Sequence, residues 1–327
     1  MSFKKKYAAL VATAAIAAIA LSGCAAAADK AAPAAGDHKN IKICVYTHGD
    51  GGTFWSVAQK GAEAAAADLG VTLDYQGSNN DAAKQAATIQ AGIAAGCNGI
   101  ASSVPDLGAI KGPMLAAKAA GIPTVTMNSG SAVYKELGAF THVGQDEIIA
   151  GQQAGLKFNA MGVKHVLCPI QEASNIGLND RCKGLSQTFK GKTENFNLDG
   201  GLADLTAATA KLQAALTADK TIDAIFALNA DIAAKAAMPA AEAAGVSVKI
   251  GTVDMSPEAL DAIEAGKMEF AIDQQQYAQG YMSVVLLYLN ITNGHELGGG
   301  QPIYTGPGFV TKDNVAKVKK LVAAGTR

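Results

Sequence analysis

The chain has 327 residues, 49% of them hydrophobic, so it is long enough for two domains and too apolar for a disordered polymer. Lysine and arginine number 27 against 28 acidic residues, for a net charge of −1. Such a balance gives no electrostatic reason to bind nucleic acid.

The elements begin with an export address. Lys4, Lys5 and Lys6 form a positive start, and Tyr7–Ala20 is an apolar run too short for a comfortable membrane span. Without those three lysines the net charge falls from −1 to −4. The address ends in LSGC, which resembles the bacterial lipobox, whose cysteine, here Cys24, becomes the lipidated first residue of the mature protein. The other reading is an ordinary signal peptide cut after a small residue. Residues 1–23 are therefore expected to be a lipoprotein signal peptide and the alanine-rich stretch 24–40 a flexible tether.

From Ile41 onward, strand-like and helix-like runs alternate. IKICVY precedes FWSVAQKGAEAAAADLG, VTLDYQ precedes DAAKQAATIQAGIAAG, and the alternation continues to MEFAIDQQ and YAQGYMSVVLLYLNITNG. Helical runs close on Gly70, Gly96, Gly121, Gly245 and Gly266, just where the next apolar run opens. About ten such strands, with the pattern restarting near Val143, predict an α/β protein of two doubly wound parallel-sheet lobes.

Four cysteines follow the lipobox. Cys168 and Cys182 fall at a strand end and in the next helix start, and a bridge between them is the favoured reading. It would close a loop of about 15 residues, worth roughly 3 kcal/mol. Cys44 and Cys97 lie in or before strands that can be neighbours; there free buried thiols are favoured over a bridge. No CxxC or HxxxH spacing supports a metal site.

In open parallel sheets ligands bind beyond the carboxyl ends of strands. Those positions carry THGDGGTFW (with Phe54 and Trp55), Asn128 and Ser129, the loop QEASNIGLNDR (with Asn175, Asn179 and Arg181), Asn229, Asp254, Asp273 and Gln274. Amides donate and accept, Arg181 and Asp254 offer charge-assisted bonds, and the aromatics offer apolar surface to C–H faces. That inventory suits a neutral sugar or polyol, although loops are polar in any case. An α/β oxidoreductase using the first glycine-rich turn is the alternative. It needs glycine at position 54 of G-x-G-x-x-G, where this chain has phenylalanine. No phosphate-loop motif or G-x-S-x-G elbow occurs, and His48, His142 and His165 are scattered, which favours structural roles. No catalytic residue, cofactor or metal is implied.

Taken in order, TFWSVAQKGAEAAAADLG, GIPTVTMNSG, THVGQDEIIAG, NDRCKGL, AIFALNAD, GTVDMSPEALDAIEAGKMEFAIDQQQYAQGY and TGPGFVTKDN resemble the type I periplasmic sugar-binding proteins of ABC transporters, the ribose-binding group in particular. The resemblance covers about Ile41 to Lys320. It implies two lobes joined by three crossovers near Val143–Gln145, Gln274–Tyr277 and Tyr304–Gly306. The lobes would be 41–144 plus 276–304, and 145–275 plus 305–327. Phe54 and Trp55 match the family's sugar-stacking aromatics and are expected to form one flat wall. Asn128 stands where aspartate is usual and Ser129 where ribose binders have arginine. Arg181, Asn229, Asp254 and Gln274 match the remaining contacts, with Asn175 and Asn179 on the loop before Arg181. The pair Asn128–Ser129 puts ribose itself in doubt. GGLADLT lacks the family's second-lobe aromatic, which suits a more open ligand such as a linear polyol. The resemblance further implies a monomeric carrier, lipid-anchored outside the cytoplasm, that delivers its ligand to a permease. A sugar or autoinducer sensor on the same fold is a third reading.

Overall fold

The computed structural model describes residues 38–327, so the expected signal peptide, Cys24 and most of the expected tether lie outside the described residues. His38–Asn40, expected in the tether, form a 3-10 turn, with the His38 ring 5.2 Å from that of Tyr288.

The first half runs β1 (Lys42–Thr47), α1 (Gly52–Leu69), β2 (Thr72–Gly77), α2 (Ala82–Ala94), β3 (Gly99–Ser102), α3 (Leu107–Ala119), β4 (Thr124–Met127) and β5 (Thr141–Gln145). The second runs α4 (Glu147–Ala160), β6 (His165–Ile170), α5 (Ile176–Thr188), β7 (Lys192–Asn197), α6 (Leu205–Ala218), β8 (Ala224–Ala227), α7 (Ala230–Ile232), a π turn (Ala233–Ala237), α8 (Met238–Ala243), β9 (Lys249–Val253), α9 (Pro257–Glu264) and β10 (Phe270–Asp273). The chain then returns through α10 (Gln276–Asn293) and β11 (Ile303–Gly306), and ends with β12 (Gly308–Val310) and α11 (Val315–Ala323).

Two six-stranded sheets result, ordered β11-β5-β4-β3-β1-β2 and β12-β10-β9-β8-β6-β7. All pairings are parallel except β10 with β12. The two last strands, β11 and β12, are too short and irregular to read as strands from their sequence. Each sheet is buried on both faces. On β1, Ile43 and Val45 join the core under α1 and α10, while Cys44 and Tyr46 join the core under α2 and α3. This is the period-two alternation of a strand covered on both sides.

The chain passes between the sheets after β5, after β10 and between β11 and β12. Each lobe has one close helix pair. A Cβ on Gly280 of α10 would strike the Ala58 carbonyl of α1, and a Cβ on Gly184 of α5 would strike the Ile148 carbonyl of α4. Both cysteine pairs are bridged, each with Cα atoms 6.0 Å apart. The Cys44–Cys97 bridge corrects the free-thiol expectation. Parallel pairing of β1 with β3 sets Cys44 opposite Ile100, within reach of Cys97 at the entry to β3. Among the described residues, no helix is long and apolar enough to cross a membrane.

Candidate functional site

The strand ends of the two sheets face each other. Gly51 and Gly52 have φ of 62° and 63°, so the turn after β1 folds straight into α1 and sets Phe54 and Trp55 in its first helical turn. Their rings meet edge-to-face, with centroids 4.8 Å apart and planes at 75°. They form a corner, not the single flat wall expected, because adjacent helical residues diverge by about 100°. Phe54 is buried and Trp55 half-buried, its ring also edge-on to His48 at 4.8 Å. Asp50 is exposed and packs beside Gly77 on the edge strand β2.

Two strands end in non-glycine left-handed residues, Asn128 after β4 (φ 60°) and Asp254 after β9 (φ 70°). Asn and Asp tolerate that conformation best, at a cost of about 1 kcal/mol or more. Both are buried, and the Gln274 amide bridges them. Its Nε2 donates to Asp254 Oδ1 at 2.5 Å, and its Oε1 accepts from Asn128 Nδ2 at 3.4 Å. Ser129 Oγ lies 3.3 Å from Asn128 Oδ1 and 3.3 Å from Asn175 Oδ1 in the opposite lobe.

Arg181 is buried on α5 and held by a residue the sequence reading missed. Glu147 Oε2 accepts from Arg181 Nε at 2.5 Å and Oε1 from Nη2 at 3.0 Å, while Gln145 donates to Oε2 at 2.7 Å. Arg181 Nη1 donates to the Leu228 carbonyl at 3.0 Å. A signal for Glu147 was present. It lies on the buried stripe of α4 with Ala150, Gly151, Ala154 and Phe158, and an acid on such a stripe needs a cation. Burial works against the Arg181 charge, but Glu147, together with Asp254 and Glu172, outweighs it and raises the pKa above its ordinary value. Burial lifts the Asp254 carboxyl to about 7, against the pull of Arg181 and of the Gln274 hydrogen bond. The site therefore pairs a fixed cation with a carboxyl poised to ionise when a donor arrives.

The remaining expected residues divide. Asn175 caps α5, its Oδ1 accepting from Gly177 N at 3.0 Å, and it stays buried near Ser129. Asn229 caps α7, its Oδ1 accepting from Asp231 N at 2.8 Å, which leaves its Nδ2 as the free donor. Asn179 does not join the cluster. It is exposed, and its amide donates to the carbonyls of Ala173 and Asn175. Two residues along a helix is about 200°, so the face that buries Arg181 turns Asn179 outward.

His48, expected to be structural, lies inside the cleft. Its Nδ1 is 2.8 Å from Ser103 Oγ and its Nε2 3.8 Å from Glu172 Oε2 of the other lobe. With Asp106, Gln171, Asn175 and Asp199 it borders a cavity of about 410 Å³. Gly200, Leu202 and Ala203, from the segment lacking an aromatic, border it too.

A model of the periplasmic binding protein domain matches residues 43–296. The chain belongs to that family. A solved carbohydrate transporter protein from Acidothermus cellulolyticus 11B, in complex with myo-inositol, is 43% identical, with 88% of this chain and 99% of that chain covered and a TM-score of 0.84. The xylose/arabinose-binding protein XylF of Sulfolobus acidocaldarius is 24% identical, over 85% of this chain and 73% of its own. The ribose import binding protein RbsB of Haemophilus influenzae is 27% identical, over 71% and 79%. These relatives are named for sugar binding or carbohydrate transport.

Proposed function

We propose that this periplasmic binding protein captures a neutral cyclic polyol of the inositol type and presents it to a membrane permease. The observation that carries the reading is the bridged pair Asn128–Gln274–Asp254 beside the oriented Arg181. Adjacent ring hydroxyls each need a donor and an acceptor, and this cluster supplies both. The 43% identical relative with bound myo-inositol supports a ring over the linear polyol that the missing aromatic first suggested. Trp55 supplies apolar surface for the C–H edge of such a ring.

Contacts from both lobes exist together only when the lobes meet. Here they meet through Ser129 with Asn175 and through the Ile176 N–H donating to the Pro105 carbonyl at 3.1 Å. A ligand bridging the lobes adds to those bonds and shifts the population toward closure, which the permease reads. Micromolar binding needs only about 8 kcal/mol net. The protein acts as a monomer, exported and lipid-anchored through Cys24. Mass spectrometry of the N-terminal peptide checks the anchor, and Cys24→Ser should release the protein from membranes.

Calorimetric titration of the purified protein with myo-inositol, ribose, arabinose and sorbitol tests the ligand class. Saturable binding of myo-inositol, strongest in the set and weakened roughly 30- to 150-fold in Asp254→Ala, is expected. Tighter binding of ribose, or unchanged affinity in Asp254→Ala, overturns it.

A further inference from the structure

The cleft lies beyond the carboxyl ends of the strands, and a different chemistry gathers at the opposite end of the second sheet. His165 opens β6, Glu194 lies on the neighbouring edge strand β7, and Asp219 stands at the C-terminal end of α6. We propose that these three side chains form a site for one divalent transition-metal ion of the zinc type. The site is remote from the sugar cleft and does not depend on which ring the cleft binds.

One ligand atom from each of the three lies within 4.8 Å of the others. The only other such group among the described residues is Cys44, Asp74 and Cys97, whose sulfurs are spent on a disulfide. Lys192 accounts for the two acids without any metal, since its Nζ is 3.2 Å from Glu194 Oε2 and 3.6 Å from Asp219 Oδ2. It does not account for His165. The residue is 2% exposed, and its Nε2 has no hydrogen-bond partner. The neighbouring groups assign its tautomer. Asp219 Oδ1 can only accept, and the Thr221 hydroxyl donates to it at 2.6 Å. The Thr221 oxygen therefore accepts from His165 Nδ1–H at 2.9 Å, which leaves a bare lone pair on Nε2. That nitrogen stands 3.4 Å from Glu194 Oε2, a second acceptor. Two acceptors at that range repel unless a cation stands between them.

A zinc ion suits that gap. Placed about 2.1 Å from each atom, it spans the 3.4 Å separation at an angle of about 110°, close to tetrahedral. The bond from Nδ1–H to Thr221, itself tied to Asp219, is the outer support that a ligating imidazole needs. Asp219 spends Oδ1 on Thr221 and keeps Oδ2, 3.7 Å from the His165 ring, for the ion. Glu194 and Asp219 are half-buried and Lys192 is exposed. The lysine can therefore swing into water as the ion enters, and a fourth position stays open to solvent. A nitrogen ligand selects against Ca²⁺ and Mg²⁺, which take oxygen. No metal-ligand spacing appears in the sequence because the ligands come from three separate elements. Parallel pairing sets His165 opposite Lys192, which shares a face of β7 with Glu194 two residues on.

The test is calorimetric titration of the tag-free, metal-stripped protein with zinc chloride at pH 7, without sugar and in a buffer that does not bind zinc. One ion should bind per chain and raise the melting temperature. His165→Asn, which keeps a donor toward Thr221 and removes Nε2, and Glu194→Gln should each weaken zinc about tenfold or more. Glu194 is half-buried, so its variant tests the site even where His165→Asn fails to fold. Lys192→Met removes the competing ammonium and should tighten zinc about threefold or more. Calcium chloride at the same concentration should leave the melting temperature unchanged. Absence of one-to-one zinc binding overturns the site, as does a zinc affinity in Glu194→Gln within about twofold of wild type. A calcium response equal to that of zinc, or zinc bound no more tightly in Lys192→Met, overturns it equally.

Discussion

The two lobes repeat one strand order and present opposite chemistry. β2-β1-β3-β4-β5 of the first sheet corresponds to β7-β6-β8-β9-β10 of the second, and a left-handed polar residue follows the fourth strand of each, Asn128 in one and Asp254 in the other. The first lobe offers an aromatic corner and amides. The second offers a buried ion pair and a carboxyl. The difference teaches that the shared scaffold supplies positions, while buried acids and arginine are confined, among the described residues, to the lobe where Glu147 anchors Arg181. Even the outermost strands part company, since β11 runs parallel to its neighbour and β12 antiparallel.

The largest test of that asymmetry is Arg181→Ala. It strands the buried Glu147 carboxylate and should cost about 3–5 kcal/mol in denaturant unfolding, with binding abolished. The paired change Glu147→Leu/Arg181→Met should regain most of the stability and none of the binding. Stability regained with Arg181→Ala alone would show that the pair is not the second lobe's anchor. Next come the bridges. By loop length, removing Cys44–Cys97, which spans 53 residues, should cost about 4 kcal/mol, and removing Cys168–Cys182, which spans 14, about 3. Melting of the two double-serine variants ranks them. Within the site, Asp254→Ala should weaken myo-inositol by about 2–3 kcal/mol, and Asn128→Ala by about 1, because a bond to a charged acceptor outweighs a neutral one. Equal losses in the two would erase the contrast between lobes.

The smallest effect is in pH. The folded pKa of Asp254, about 7, lies above its unfolded value of about 3.9, so the native state holds a proton that the unfolded state has lost. Its stabilising contribution is full below about pH 4 and is lost as pH rises through 7. His48 and His142 act oppositely, because burial lowers their pKa values, His142 to about 3, and stability is lost as pH falls below their ordinary range. Both histidines remain in Asp254→Asn. The difference between wild-type and variant unfolding curves across pH 4–8 therefore isolates Asp254, and a flat difference would remove it from the list of strained site groups.

Much of this is legible in the sequence. Helix–strand alternation placed the strand ends, and those ends carry Phe54, Asn128, Arg181, Asp254 and Gln274. Misplaced residues failed for local reasons. Asn179 precedes Arg181 in the chain, but helical rotation sends the two to opposite faces. The place of His48 in the cleft is hidden from any window around it, because its partner, Glu172, comes from the other sheet. The Cys44–Cys97 bridge is hard to read because 53 residues separate cysteines that strand pairing makes neighbours.

What the sequence determined by itself is the set of short-range choices: where helices start and stop, which strands are buried on both faces, and which chemical types stand at the strand ends. These follow from periodicity and glycine placement, which act within a few residues. Only the tertiary structure decided that Gln274 joins Asn128 to Asp254, that Glu147 orients Arg181, and that acids from both lobes surround one cavity. Those pairings depend on the order of strands across two sheets and on the approach of α4 to α5. Both are set by packing between segments far apart in the chain, for which no local pattern carries the energy.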